Sequence, residues 1–324
     1  MDTYETQKYN TDVEHLKETI DKYGVAVIPN VLNNKVCKKL MIEMWDFFEH
    51  ITQNFKTPIK RNNPETYKQL FKLYPLHAML IQRFGIGHAQ FAWNARQNPK
   101  IVDIFAKFWN CQPGELLVSF DGSSFHLPPE ITKRGWNLNN TWYHTDQSFT
   151  RNEFECIQSF VTFNSINVGD GTLAFMEGSN KHHKHVAEKF KLKDKVDWFK
   201  INKEIEDYYL SLGCEYKKIA CPEGSMVFWD SRTIHCGVEP FKGREKENIR
   251  AVTYLCYMPR KLATKANIKK KVKALEELRT TNHWACKPKL FSVNPRTYGN
   301  ELPNINPIEP PKLTRLGKKL AGLD

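Results

Sequence analysis

Trp142-Tyr143-His144-Thr145-Asp146-Gln147-Ser148 decides how this chain is read, with Trp229-Asp230-Ser231-Arg232-Thr233-Ile234-His235-Cys236-Gly237 further on. In an extended strand residues i and i+2 project to one side, so His144 and Asp146 can share a face. The imidazole of His235 then completes a set of two nitrogens and one carboxylate oxygen. Such a set covers one triangular face of a metal ion and leaves the opposite face open, which suits non-haem Fe(II). An H-x-D pair alone is a weak signal in a chain of 324 residues with eleven histidines. Its neighbours carry the weight. Glu155 to Phe163 reads as a strand, Asp170-Gly171 as a hairpin turn, and Leu173 to Glu177 as a second strand closed by Gly178-Ser179. Ile249 to Tyr257 reads as a third.

Composition bounds the rest. A 40% hydrophobic content with eight Trp and twenty Phe is ample for a packed core. No run approaches the ~20 apolar residues of a membrane span, and the polar, acidic Met1-Asp2-Thr3-Tyr4-Glu5 is unlike a secretory signal. The eight cysteines form no C-x-x-C pair, and several fall inside apolar strands. They read as packed thiols of a reducing compartment, so the expectation is an intracellular, cytoplasmic protein without structural zinc. The formal charge of +12 reads as a lysine-rich solvated surface, with an anionic partner as the alternative.

Along the chain, Thr11 to Glu14 fits a capping box before the helical spacing Val13, Leu16, Ile20, Tyr23, with Gly24 as the stop. Val25 to Pro29 reads as a buried strand, and Asn33-Asn34 precede a helix carrying Val36, Leu40, Met44, Trp45 and Phe48. Residues 54–98 are mixed. Lys100 to Trp109 reads as a helix and Leu116 to Phe120 as a strand. Asp121 to Asn140 reads as a long irregular loop leading into the H-x-D strand, placed to line a substrate entrance. Residues 180–218 form a lysine-rich insertion whose His182, His183 and His185 are expected in an exposed turn. The division expected is a core over 1–259 and a basic extension over 260–324, with a helix from Ile268 to Arg279 and then extended Asn- and Pro-rich chain. Between Arg260 and Lys289 there are ten Lys or Arg against two acidic residues.

Taken in order, these stretches resemble the phytanoyl-CoA dioxygenase-like branch of the Fe(II)/2-oxoglutarate oxygenases, over about residues 13–260. The resemblance rests on the H-x-D pair, the Asp170-Gly171-Thr172-Leu173 turn, Gly178-Ser179, the strand ending at His235, and Arg250-Ala251-Val252-Thr253-Tyr254. It implies a mixed α+β fold with a mainly β core: a double-stranded β-helix, jelly-roll or cupin-like, flanked by N-terminal helices and a C-terminal extension. It implies Fe(II) held by His144, Asp146 and His235, with 2-oxoglutarate and O2 as co-substrates. Related iron halogenases lack the carboxylate, so Asp146 argues for hydroxylation. In the family the arginine that holds the distal carboxylate of 2-oxoglutarate opens the strand after the second histidine, which points to Arg250 and its planar fork. The spacing from His235 is longer than usual, and Arg244 lies nearer the usual position. Gln158 and Thr162, on one face of their strand, are further candidates for binding the co-substrate, with Ser119 and Thr172 behind them.

The function implied is hydroxylation of a C–H bond in a small or medium organic substrate, anionic or CoA-linked by family precedent, with release of succinate and CO2. Alternatives are the same chemistry on a protein side chain or nucleic acid docked by the basic tail, and a non-catalytic binding protein that keeps the fold. A hydrolytic zinc site would need a general base beside the metal, and no H-E-x-x-H helix is present. Phe91, Trp93, Trp136, Trp142 and Tyr143 suggest an aromatic mouth, though aromatics serve a core equally well.

Overall fold

The computed structural model describes residues 3–73, 80–135, 142–294, 299, 301 and 303–323. Its strands are β1 (Thr3–Glu5), β2 (Val25–Ile28), β3 (Leu116–Val118), β4 (Ser123–His126), β5 (His144–Thr145), β6 (Ile157–Thr162), β7 (Thr172–Met176), β8 (Phe199–Lys200), β9 (Tyr216–Ile219), β10 (Met226–Asp230), β11 (His235–Val238), β12 (Arg250–Leu255) and β13 (Tyr257–Pro259). The helices are α1 (Leu16–Tyr23), α2 (Asn34–Ile51), α3 (Gln90–Arg96), α4 (Pro99–Phe108), α5 (Pro129–Thr132), α6 (Ser179–Lys189), α7 (Lys203–Ser211), α8 (Lys265–Glu276) and α9 (Arg315–Ala321).

The strands form a six-stranded sheet, β1-β9-β7-β11-β5-β8, a five-stranded sheet, β2-β10-β6-β12-β4, and a β13-β3 ribbon. One apolar cluster joins Val27, Phe160, Val227, Trp229 and Val252 of the five-stranded sheet to Leu173, Phe175 and Ile219 of the other, so the two sheets face each other. The alternate residues Ile157, Val161, Met226, Phe228, Ala251 and Leu255 point outward and are covered by Leu40, Met44 and Phe48 of α2, Phe91 and Trp93 of α3, and Ile101 and Phe105 of α4. Burial on both faces explains why β6 and β10 carry little polar alternation. The chain beyond 260 packs back on the ribbon: Trp284 and Cys286 share a cluster with Leu117 and Met258, and the amide of Thr281 donates to the Phe120 carbonyl at 2.9 Å. Among the described residues no helix is long and apolar enough to cross a membrane.

Several expectations need correction. Thr11 does not cap α1: the helix starts at Leu16 after His15, whose amide and ring bond Asp12 instead. Asp170-Gly171 does not turn a hairpin within one sheet, because β6 and β7 lie in different sheets and the turn carries the chain across. The stretch from Asp121 is not irregular throughout. It contains β4, zipped to β12 from Arg250↔His126 to Thr253↔Ser123, and α5; its end, 136–140, lies outside the described residues. The 182–185 histidines sit on α6. His183 is buried and stacked on Phe149 with centroids 4.2 Å apart, and burial lowers its pKa to about 4. The tail is not extended to its end, since α9 forms with Thr314 as its cap.

Candidate active site

The two halves of the site are welded by backbone. β10 ends at Asp230, whose carboxylate grips Arg232, and a tight turn delivers the chain to β11. The carbonyl of Ser231 in that turn accepts from the amides of both Asp146 and Gln147 at 3.0 Å. The Ser231 hydroxyl donates to Gln147 Oε1 at 2.8 Å. Gly24 supports the turn from below, its carbonyl taking the Thr233 hydroxyl at 2.8 Å. A Cβ at Gly24 would lie 2.6 Å from that hydroxyl oxygen, and its φ of 81° also favours glycine. β5 and β11 then pair with His144 directly opposite His235.

This register brings His144, Asp146 and His235 together, all buried, with one ligand atom from each within 4.8 Å of the others. The ring contacts fix the tautomers. His144 Nδ1 meets the Trp142 carbonyl at 3.1 Å, and His235 Nδ1 meets the Thr233 carbonyl at 2.9 Å. A carbonyl only accepts, so both protons sit on Nδ1. Both Nε2 lone pairs are then turned on Asp146, at 3.4 Å from Oδ1 and 3.2 Å from Oδ2. Lone pairs facing a carboxylate at that range are reconciled by a cation between them, and two imidazoles with one carboxylate are the donor set of a facial metal site. Burial, with the nearby His235, lowers the pKa of His144 and keeps it a neutral donor. Asp146 is buried, and against the cost of that burial its carboxyl is held well below its usual range, so it is an ionised donor. Gln158 Nε2 donates to Asp146 Oδ2 at 2.7 Å and orients the carboxylate.

Arg250 opens β12 and is 5% exposed. Its guanidinium lies over the Phe160 ring at 5.3 Å, with Nη1 donating to the Gly171 carbonyl at 3.0 Å and Nη2 to the Tyr254 hydroxyl at 3.4 Å. Among the described residues it has no ion-pair partner, and its Nε is buried without a hydrogen bond. Arg244 is different: Asp170 holds it at 2.6 Å and Glu130 at 2.8 Å, so its charge is already answered. Thr162 lies at the Arg250 end of β6, and its hydroxyl donates to the Asn164 carbonyl at 2.6 Å rather than into the site. Thr172 likewise donates to the Ile219 carbonyl at 2.7 Å. Ser119 is buried, its hydroxyl without a partner among the described residues.

Of the aromatics expected at the mouth, Phe91 and Trp93 are fully buried core, Tyr143 packs on Tyr216, and Trp136 lies outside the described residues. Trp142 does reach the site, stacked on His144 at 4.8 Å with 8° between the rings. Two neighbours escaped sequence reading. Trp198 of the insertion lies 5.2 Å from the His144 ring, and Trp229 5.4 Å from that of His235. No motif marks Trp198, whereas Trp229 opens the stretch that ends at His235.

The model of the family described as phytanoyl-CoA dioxygenase (PhyH) matches residues 20–238. The Ava biosynthesis cluster protein O of Aspergillus versicolor is 30% identical over 208 residues, 62% of this chain and 64% of that protein. A Dictyostelium discoideum protein named for phytanoyl-CoA dioxygenase is 28% identical over 137 residues, 40% of this chain and 36% of that one. The chain thus matches less than two thirds of the length of either relative. The crystal structure of the GlcNAc Inducible Gene 2 protein of Candida albicans shares the fold, with a TM-score of 0.57 at 13% identity, covering 97% of this chain and 83% of that one. With the family model covering most of the chain, from α1 to the end of β11, the protein belongs to the phytanoyl-CoA dioxygenase family.

Proposed function

We propose that this protein is an Fe(II)- and 2-oxoglutarate-dependent dioxygenase that hydroxylates a C–H bond of a small or medium organic molecule, on a double-stranded β-helix made by the two facing sheets. One observation carries the reading: two buried imidazoles spend their Nδ1 protons on carbonyls and turn their Nε2 lone pairs on one carboxylate. His144, Asp146 and His235 are the residues that would hold the iron. Iron with 2-oxoglutarate and O2 supplies the oxidation, in which the oxo acid becomes succinate and CO2, one oxygen atom enters succinate and the other the substrate C–H bond.

The chain's own residues position and shield. Gln158 fixes the Asp146 carboxylate and stops it from rotating away from the histidines. The Trp142 and Thr233 carbonyls hold the two rings in register. Arg250, buried and with no carboxylate partner among the described residues, is the receptor for the distal carboxylate of 2-oxoglutarate, and Tyr254 beside it adds a hydroxyl. Trp142 covers one face of His144 and keeps bulk water from it.

The test is succinate formation from 2-oxoglutarate in the presence of Fe(II) and pooled small molecules, with product masses read in parallel. The reading expects succinate that requires Fe(II) and is lost in His235→Ala, with one product heavier by a single oxygen atom. Absence of iron-dependent succinate in every pool would leave a non-catalytic binding protein as the better account.

A further inference from the structure

The carboxylate of the triad is not held by a strand ladder. β5 has two residues, His144 and Thr145, and meets β11 through one register pair, His144↔His235. Asp146 lies past the end of β5, where the chain bends away. The amides of Asp146 and Gln147 share a single acceptor there, the Ser231 carbonyl, each at 3.0 Å. A carbonyl oxygen accepts over a broad range of directions. Two donors on one oxygen therefore hold the bend near the turn and leave its tilt weakly set.

The Gln147 side chain supplies what that oxygen lacks. It is fully buried, and its amide is used on both sides. Nε2 donates to the Arg151 carbonyl at 2.6 Å and to the Glu153 carbonyl at 2.7 Å, while Oε1 accepts the Ser231 hydroxyl at 2.8 Å. Carbonyls only accept, so the partners themselves dictate which way the amide faces. The two Nε2 bonds close residues 147–153 into a compact loop, which presents the Asn152 carbonyl to Arg232 at 3.0 Å. The Oε1 bond fastens that loop to Ser231 through a second atom of the same residue, and two atoms fix a tilt that one does not. The Thr145 hydroxyl completes the bend by donating to the Gln147 carbonyl at 3.0 Å. The same turn carries Thr233, whose carbonyl holds the His235 ring. Asp146 and His235 are thus both referred to residues 231–233.

We propose that Gln147 is a positioning residue of the metal site, its side chain locking the 147–153 loop onto the turn before His235 so that the Asp146 carboxylate keeps its place between the two imidazoles. The inference deepens the oxygenase reading above and rests on it. Gln158 aims the Asp146 carboxylate directly; Gln147 fixes the backbone from which that carboxylate projects. Partners that orient metal ligands from behind are commonly worth about tenfold or more in metal affinity.

The experiment uses the full chain with saturating 2-oxoglutarate, without oxygen. Fe(II) affinity is read from titration of the visible charge-transfer band, and the unfolding midpoint of the metal-free protein is measured on the same preparations. Gln147→Met keeps the volume and loses all three side-chain bonds. Ser231→Ala loses only the Oε1 bond and is the milder variant, should Gln147→Met fold poorly. Each is expected to weaken Fe(II) binding roughly tenfold. Adding Ser231→Ala to Gln147→Met should weaken it no further, because both remove one interaction. Ser231→Thr, which keeps the hydroxyl, should restore most of the affinity. Ser159→Ala is the control: it removes another buried hydroxyl, bonded to the Leu255 carbonyl at 3.1 Å, and should lower the unfolding midpoint with Fe(II) affinity unchanged. Gln147→Met and Ser231→Ala proteins that unfold more easily and yet bind Fe(II) within twofold of wild type overturn the proposal, since Gln147 is then structural alone. Losses that add in the double variant overturn it as well. A wild-type protein with no band overturns the oxygenase reading itself, whereas a wild-type band with unchanged variant affinities overturns the role of Gln147 only.

Discussion

Arg250 and Arg244 show how burial and partners separate two arginines that sequence spacing confuses. Arg244 lies between Glu130 and Asp170, so its removal strands two carboxylates, one of them buried. Among the described residues Arg250 meets a carbonyl, a hydroxyl and a ring. Arg250→Ala is therefore expected to raise the 2-oxoglutarate concentration needed for half-maximal succinate formation by about ten- to a hundredfold, the worth of a charged hydrogen-bonded pair, with little change in melting temperature. Arg244→Ala should do the reverse, lowering the melting temperature and leaving the co-substrate requirement near wild type. Co-substrate titrations and thermal unfolding of both variants check this. At this scale the triad was legible because strand alternation and residue chemistry are both written locally. The Thr162 hydroxyl donates to the Asn164 carbonyl, and strand alternation does not say which carbonyl a hydroxyl will choose.

At the scale of elements, the docking of α8 is the part least suggested by its sequence. Its lysine run reads as a solvated face, yet Lys271 is fully buried, with its ammonium donating to the Val118 carbonyl and lying 3.7 Å over the Phe120 ring. Burial lowers its pKa to about 7 from 10.5. A lysine with a depressed folded pKa binds fewer protons folded than unfolded between those two values, so stability rises with pH across that window and the full cost is felt below it. Replacing it with methionine removes this slope. Urea unfolding at pH 7 and pH 9 should show the stability difference between Lys271→Met and wild type shifting toward wild type by about 2 kcal/mol. No change in the difference would mean that the ammonium stays charged and adequately paired in the fold. Other elements were plain from sequence where periodicity and punctuation agree. Asn33 caps α2 and Gly24 ends α1 in the left-handed conformation. β4 was missed because Ser123 to His126 has no apolar alternation of its own; it is a strand because β12 offers it an edge.

Across the whole molecule, the site exists only where distant parts of the chain meet. The helices α2 to α4 cover one sheet, the insertion supplies the strand beside His144, and the extension packs on the β13-β3 ribbon and bonds Phe120. The sheet pairing that sets His144 opposite His235 is the geometric premise of all the chemistry inferred. It is tested most directly by anaerobic titration of the protein with Fe(II) and 2-oxoglutarate, following the visible charge-transfer band. The account predicts a saturable band at one iron per chain, abolished in Asp146→Ala and His235→Ala proteins that still unfold cooperatively. A wild-type protein that gives no band, or an undiminished band in His235→Ala, would contradict it.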